Sequence, residues 1–350
     1  MILFRLDGNE NIGLGHVMRC LSLADALRKY GFEITFVLAD NFCEDIISRR
    51  GYSSVVLQTI YSLMKDELSK LVPIITNVNP AFIIVDSYFV TELYLKTLKG
   101  LLTTVYIDDL LKFPYPVDIL INYNLFSDLS DYKTLYRGVS NQPEFLLGTK
   151  YVPLRREFSN IPIKEQPEVA NKVLIMTGGA DSFHVSLSLL KYIMHHSQLW
   201  EKFYFTFVIG AANMDYNKIV SLSKNIPNVS VLRNVQNMAQ IMMQNDIAVS
   251  AAGSSLYELC ACGIPTITYS LADNQIPAAE LFEEKGIMLN AGDIRESNTF
   301  ADVMFGLVND LAFNYSLRNN LIHSMPSVTD GKGAIYLSER LISIINCCGE

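Results

Sequence analysis

Positive charge is scarce and scattered. Lysine and arginine number 28 against 36 aspartates and glutamates, a net charge of −8. No basic block interrupts the chain, which excludes a surface that wraps nucleic acid. Cysteine and histidine are also few, at six and five. No C-x-x-C pair occurs, so a zinc ribbon or dithiol redox site is not expected, and no metal or cofactor is assigned. No apolar run approaches the ~18 residues of a membrane span. The opening Met1–Asp7 lacks the order of a secretory leader. Low-complexity tracts and short-period repeats are absent. These absences predict a reduced, cytoplasmic, monomeric chain that holds any phosphate with backbone amides and a few side chains.

What is present is ample apolar material. Half of the 350 residues are hydrophobic and 18% are charged, enough for two cores at ~100–200 residues per domain. Short apolar runs alternate with amphipathic stretches. Ile2–Leu6 reads as a buried strand, and Val17, Cys20, Leu21, Ala24, Leu27 and Tyr30 mark one helical face. Gly31 follows as a C-cap. Further strands are predicted at Glu33–Leu38, Ala81–Val85, Thr103–Ile107 and Ile119–Ile121. Prolines 153, 162 and 167 mark a linker, after which the pattern restarts with strands at Lys172–Thr177, Phe203–Ile209, Val229–Val231, Ile247–Ser250 and Thr266–Tyr269. Such alternation implies right-handed βαβ crossovers and parallel sheets. The expected fold is α/β, with two Rossmann-like domains (1–155 and 170–330) and an interdomain cleft. A last helix, within 331–350, is expected to pack back on the first domain.

Three loops carry candidate chemistry. The first is Asn11-Ile-Gly13-Leu-Gly15-His16-Val-Met18-Arg19-Cys20, between a strand and a helix, where amides can hold an anion. A dinucleotide fingerprint would need glycine where Met18 stands. His16 sits in the first helical turn, whose roughly +0.5 charge disfavours imidazolium. A neutral imidazole there suits a general base, although a capping or surface histidine has the same signature. Asp7 could orient the ring or bond nearby amides. The second loop is Thr177-Gly178-Gly179-Ala180-Asp181-Ser182. It suits close approach to a phosphate, or equally a tight turn capped by Asp181 or Ser182. In the third, Gly253-Ser254-Ser255-Leu-Tyr-Glu258, Ser255 and Glu258 have capping-box spacing. The same residues could receive a diphosphate and a ribose. Ala272-Asp273-Asn274-Gln275 precedes the next helix. Asp108-Asp109 lacks the D-x-D spacing of a metal clamp, His195-His196 reads as a solvated helix end, and Cys347-Cys348 as a reduced terminal pair.

Taken together, Arg5-x-Asp7, Ile12-Gly-x-Gly-His16-x-x-Arg19-Cys20-Leu21, Val85-Asp86-Ser-Tyr88, Ile107-Asp108-Asp109, Gly178-Gly179-x-Asp181, Gly253-Ser254-x-x-Tyr257-Glu258, Ala272-Asp273-Asn274-Gln275 and Asp330-Gly331-x-Gly333-Ala334 resemble the UDP-sugar hydrolases of pseudaminic acid biosynthesis. Those enzymes act on UDP-2,4-diacetamido-2,4,6-trideoxy-β-L-altropyranose. The family is similar to the two-domain glycosyltransferase B fold. The resemblance implies that His16 activates water and that Tyr88 lines the sugar pocket. It further implies that Ser254 and Ser255 face the diphosphate and Glu258 the ribose. Asp7, Gly13, Gly15, Arg19, Gly178, Gly179, Gly253, Asn274 and Gln275 complete the expected substrate-binding set. The segment after Asp86 reads Ser-Tyr-Phe-Val, where many members carry a bulkier polar residue before the tyrosine and an acid soon after. The expected reaction is metal-independent hydrolysis of a UDP-sugar with inversion. The alternatives are a glycosyltransferase of the same fold and a non-catalytic nucleotide-sugar sensor.

Overall fold

The structure is a computed structural model that describes residues 1–9, 12–296 and 299–348, with side chains through residue 346. Asn11 of the first loop and the side chains of Cys347 and Cys348 lie outside the described residues. The chain forms two compact units, Met1–Arg156 together with Lys332–Glu350, and Glu157–Gly331.

In chain order, short turns aside, the first unit runs β1 (Ile2–Leu6), α1 (Gly15–Arg28), β2 (Ile34–Leu38), α2 (Glu44–Arg49), β3 (Ser53–Val56), α3 (Met64–Val78), β4 (Phe82–Asp86), α4 (Glu92–Lys99), β5 (Thr103–Ile107), β6 (Ile119–Asn122), α5 (Leu129–Leu135) and β7 (Glu144–Leu147). Its sheet is parallel, ordered β3-β2-β1-β4-β5-β6-β7. Central strands β1 and β4 are buried throughout, which is why they read as apolar runs interrupted only by Arg5 and the closing Asp86. On one face Leu3, Val37, Ile83 and Val85 pack with Leu71 of α3 and Tyr94 and Leu98 of α4. Each such burial is worth about 1.5–3 kcal/mol.

The second unit runs β8 (Lys172–Met176), α6 (Val185–His195), α7 (Ser197–Lys202), β9 (Tyr204–Ile209), α8 (Tyr216–Ser223), β10 (Val229–Arg233), α9 (Met238–Met243), β11 (Ile247–Ala251), α10 (Ser255–Cys262), β12 (Thr266–Ser270), α11 (Ile276–Glu284), β13 (Leu289–Asp293), α12 (Phe300–Phe313) and α13 (Tyr315–Ser324). Its parallel sheet is ordered β10-β9-β8-β11-β12-β13. The stretch carrying Pro162 and Pro167 is fastened to this unit. Lys164 donates to the Asn245 carbonyl and to Asp246, and buried Arg318 donates to the carbonyls of Pro167 and Glu168. The chain then closes with α14 (Gly333–Cys348), which packs on α1. A Cβ at Gly333 would lie 2.1 Å from the Val152 carbonyl oxygen, so this glycine lets the helix start approach the backbone of the first unit.

Three strands escape the reading of apolar runs: β3, β7 and β13. All three are sheet edges. Edge strands bury less, so Ser-Ser-Val-Val, Glu-Phe-Leu-Leu and Leu-Asn-Ala-Gly-Asp carry no continuous hydrophobic signal. The pairing of β12 with β13 is also irregular between Thr268 and Ser270.

Candidate functional site

Both sheets reverse strand order once, between β1 and β4 in the first and between β8 and β11 in the second. In parallel sheets ligands bind outside the carboxyl ends of the strands at such a switch point. The glycine loops lie there: Gly13 and Gly15 after β1, Gly178 and Gly179 after β8, and Gly253 after β11.

In the first unit the register decides the neighbours. Leu6 pairs with Asp86, so β1 and β4 end level. The helix that follows β1 brings His16 and Arg19 onto the Asp86 carboxylate. His16 is 4% exposed, its Nδ1 stands 3.4 Å from Asp86 Oδ1, and neither ring nitrogen has a hydrogen-bond partner. Tyr88 meets the imidazole edge to face at 4.5 Å. Arg19 grips Asp86 with both prongs, Nε to Oδ2 at 2.6 Å and Nη2 to Oδ1 at 2.5 Å. Its Nη1 donates to Asp109 and to the Tyr123 hydroxyl. Burial opposes ionisation of Asp86, but the charge and hydrogen bonds of Arg19 outweigh it and hold the carboxyl below its ordinary range. A fixed carboxylate beside Nδ1 favours the imidazole tautomer protonated there, which leaves the lone pair on Nε2.

Two sequence expectations change here. The acid beside His16 is Asp86, whereas Asp7 accepts from buried Arg5 at 2.6 Å. Arg5 in turn forks onto Glu67 of α3, which also accepts from Tyr94. Arg19, expected among the substrate ligands, gives all but one of its N–H donors to Asp86, Asp109 and Tyr123. It therefore positions other side chains. Asp108 and Asp109 diverge: Asp108 is buried and accepts from Tyr132 and the amides of Leu110 and Leu111, while Asp109 accepts from Arg19, Tyr88 and Asn124. Periodicity could not have signalled Tyr123 and Asn124, which join the cluster only because β6 is two strands from β4.

In the second unit, β8, β11 and β12 are neighbours, so their loops converge along one sheet edge. Gly178 has φ +82°, and a side chain on Gly178, Gly179 or Gly253 would meet no atom within 4 Å. Asp181 caps α6, accepting from Val185 and Ser186 amides, and the Asn213 side chain donates to the same oxygen as Ser186. The capping-box reading of Ser255 and Glu258 fails by register. The residue before α10 is Ser254, it makes no side-chain cap, and Ser255 is already helical. Ser254 is exposed, while Ser255 and Glu258 are half-buried. Asn274 is exposed on the turn after β12, and Gln275 there accepts from the Leu271 amide. A groove lined by Lys172, Tyr204, Asn228 and Ser230 lies at the opposite, amino-terminal edge of this sheet.

Residues 173–299 match the glycosyltransferase family 28 C-terminal domain. Over 98% of this chain and 99% of its own, MurG of Acinetobacter baumannii superposes with a TM-score of 0.67 at 12% identity. The fold is glycosyltransferase B-like. Within that fold the chain is 27% identical to the UDP-2,4-diacetamido-2,4,6-trideoxy-beta-L-altropyranose hydrolase of Campylobacter jejuni, over 81% of this chain and 97% of the relative. It is 26% identical to an uncharacterized protein of Methanocaldococcus jannaschii over 75% of its length, and that match spans 54% of the relative. Among the described residues no helix is long and apolar enough to cross a membrane, and no group of three or more His, Cys, Asp or Glu side chains could hold a metal ion.

Proposed function

We propose that the protein hydrolyses a UDP-linked diacetamido-trideoxy sugar of the altropyranose type, giving free sugar and UDP. The observation that carries this reading is the buried His16, with Nδ1 beside a carboxylate clamped by arginine and both ring nitrogens unpartnered. That arrangement suits a general base. The likeness over 97% of the Campylobacter hydrolase supports the substrate class. In this reading Nε2 of His16 removes a proton from water as the water attacks the anomeric carbon, and the configuration inverts. UDP is a good leaving group, and the amides and serines of the second unit's loops stabilise its charge as it departs. Ser254 and Ser255 face the diphosphate and Glu258 the ribose.

The test is reaction in ¹⁸O-labelled water with a panel of UDP-diacetamido sugars and no acceptor. The label is expected in the sugar hydroxyl, with UDP unlabelled. Label in the nucleotide would mean attack at phosphorus and would end this mechanism. Similarity to glycosyltransferase structures favours one competing reading, transfer of the sugar to an acceptor. Failure to release UDP without an acceptor is its signature.

Glu258→Ala is expected to weaken UDP binding by about 1–3 kcal/mol, the scale of a hydrogen bond to a charged group. Calorimetric titration measures this, and a melting curve run beside it separates a lost ligand contact from a loss of stability. Unchanged affinity would remove Glu258 from the site.

A further inference from the structure

The turn after β8 is shaped by a residue that no motif singled out. Gly210 follows β9, the strand beside β8. A Cβ there would lie 2.1 Å from the carbonyl oxygen of Gly179 and 2.5 Å from that of Gly178. Both carbonyls therefore face the Gly210 backbone. The Ala212 amide also donates to the Gly179 oxygen at 3.2 Å, and the Asn213 side chain holds Asp181 at 3.1 Å. A trans peptide is planar, so each N–H points opposite to the carbonyl of the residue before it. With the oxygens of Gly178 and Gly179 turned toward Gly210, the N–H groups of Gly179 and Ala180 both point away from β9. Neither donates to another group of the protein among the described residues. Successive amides aimed the same way form an anion-binding concavity.

Gly179 adds an independent sign. Its φ is not left-handed, and a side chain on it would meet nothing within 4 Å. The fold itself sets no steric demand for glycine there, whereas a ligand that closes on the backbone does.

We infer that Gly210 is a positioning residue for a phosphoryl group: by admitting two carbonyls against its own backbone, it presents the Gly179 and Ala180 amides as a pair to the diphosphate of a nucleoside diphosphate. This rests on the reading of the second unit as the UDP site. The test titrates the full chain with UDP, uridine and inorganic phosphate by calorimetry, and follows the backbone amide resonances of Gly179 and Ala180 by NMR. In the wild-type protein UDP is expected to move both amide protons downfield, and uridine to leave them in place. Phosphate alone moving them marks a phosphate site without nucleoside selectivity and supports the role of the amides. Gly210→Ala is expected to weaken UDP at least tenfold with uridine affinity unchanged. Gly179→Ala, which has room for its methyl group and so tests the site without threatening the fold, is expected to lose UDP affinity at an unchanged melting temperature. UDP binding with both amides unmoved, or unaltered affinity in Gly179→Ala, would overturn the role of this loop while leaving the UDP site standing. A wild-type protein that binds no UDP would overturn the parent reading instead.

Discussion

Replacing His16 by alanine is expected to lower kcat by about 10²–10⁴-fold, the contribution typical of a positioned general base, and to leave UDP affinity largely intact. His16 belongs to the first unit, whereas the residues proposed to hold the nucleotide belong to the second. Steady-state release of UDP gives kcat, and calorimetry gives the affinity. The variant should fold, because the imidazole makes no hydrogen bond whose loss would strand a partner. Near-normal kcat in a folded variant would remove His16 from the reaction. A fall in UDP affinity as large as the fall in kcat would place it in the nucleotide site.

Arg19→Met is expected to cost about 3–5 kcal/mol of folding stability, because it leaves the carboxylate of Asp86 buried without its partner. Asp86 is 1% exposed, and besides Arg19 it is approached by His16 and by the Cys20 thiol at 3.3 Å. Denaturant unfolding at neutral pH measures the loss. A residue whose main task was to touch substrate would cost little stability when replaced, so an unchanged midpoint would return Arg19 to the substrate ligands. The pH dependence supplies a second readout. The folded protein holds Asp86 below its ordinary range, so this contribution is present in full above the unfolded-state value of about 3.9. It is lost as pH falls through the lower folded-state value. The wild-type advantage over Arg19→Met should therefore shrink in acid. Arg19→Lys keeps the charge but cannot fork onto both carboxylate oxygens, and is expected to fall between the two.

Alternation and periodicity alone determined the two parallel α/β units. Strands such as Ile2–Leu6 and Phe82–Asp86 are buried on both faces and so are apolar at every position but Arg5 and Asp86, a pattern that survives without knowledge of the fold. The loops were legible for the same reason: a glycine-rich stretch between such a strand and a helix falls at the carboxyl edge of a parallel sheet wherever it occurs. What tertiary structure decided was partnership. Asp86 lies 70 residues from His16 in the chain, and only the level pairing of β1 with β4 makes it, and not Asp7, the acid beside the imidazole. Arg19 entered the expected substrate ligands only through the family resemblance. The two strand ends surround it with carboxylates and turn it inward. Gly210 carried no motif, since its role is fixed by how closely the turn after β8 approaches the end of β9. Spacing along the chain records which residues share an element, whereas strand order and register set which residues meet across the sheet.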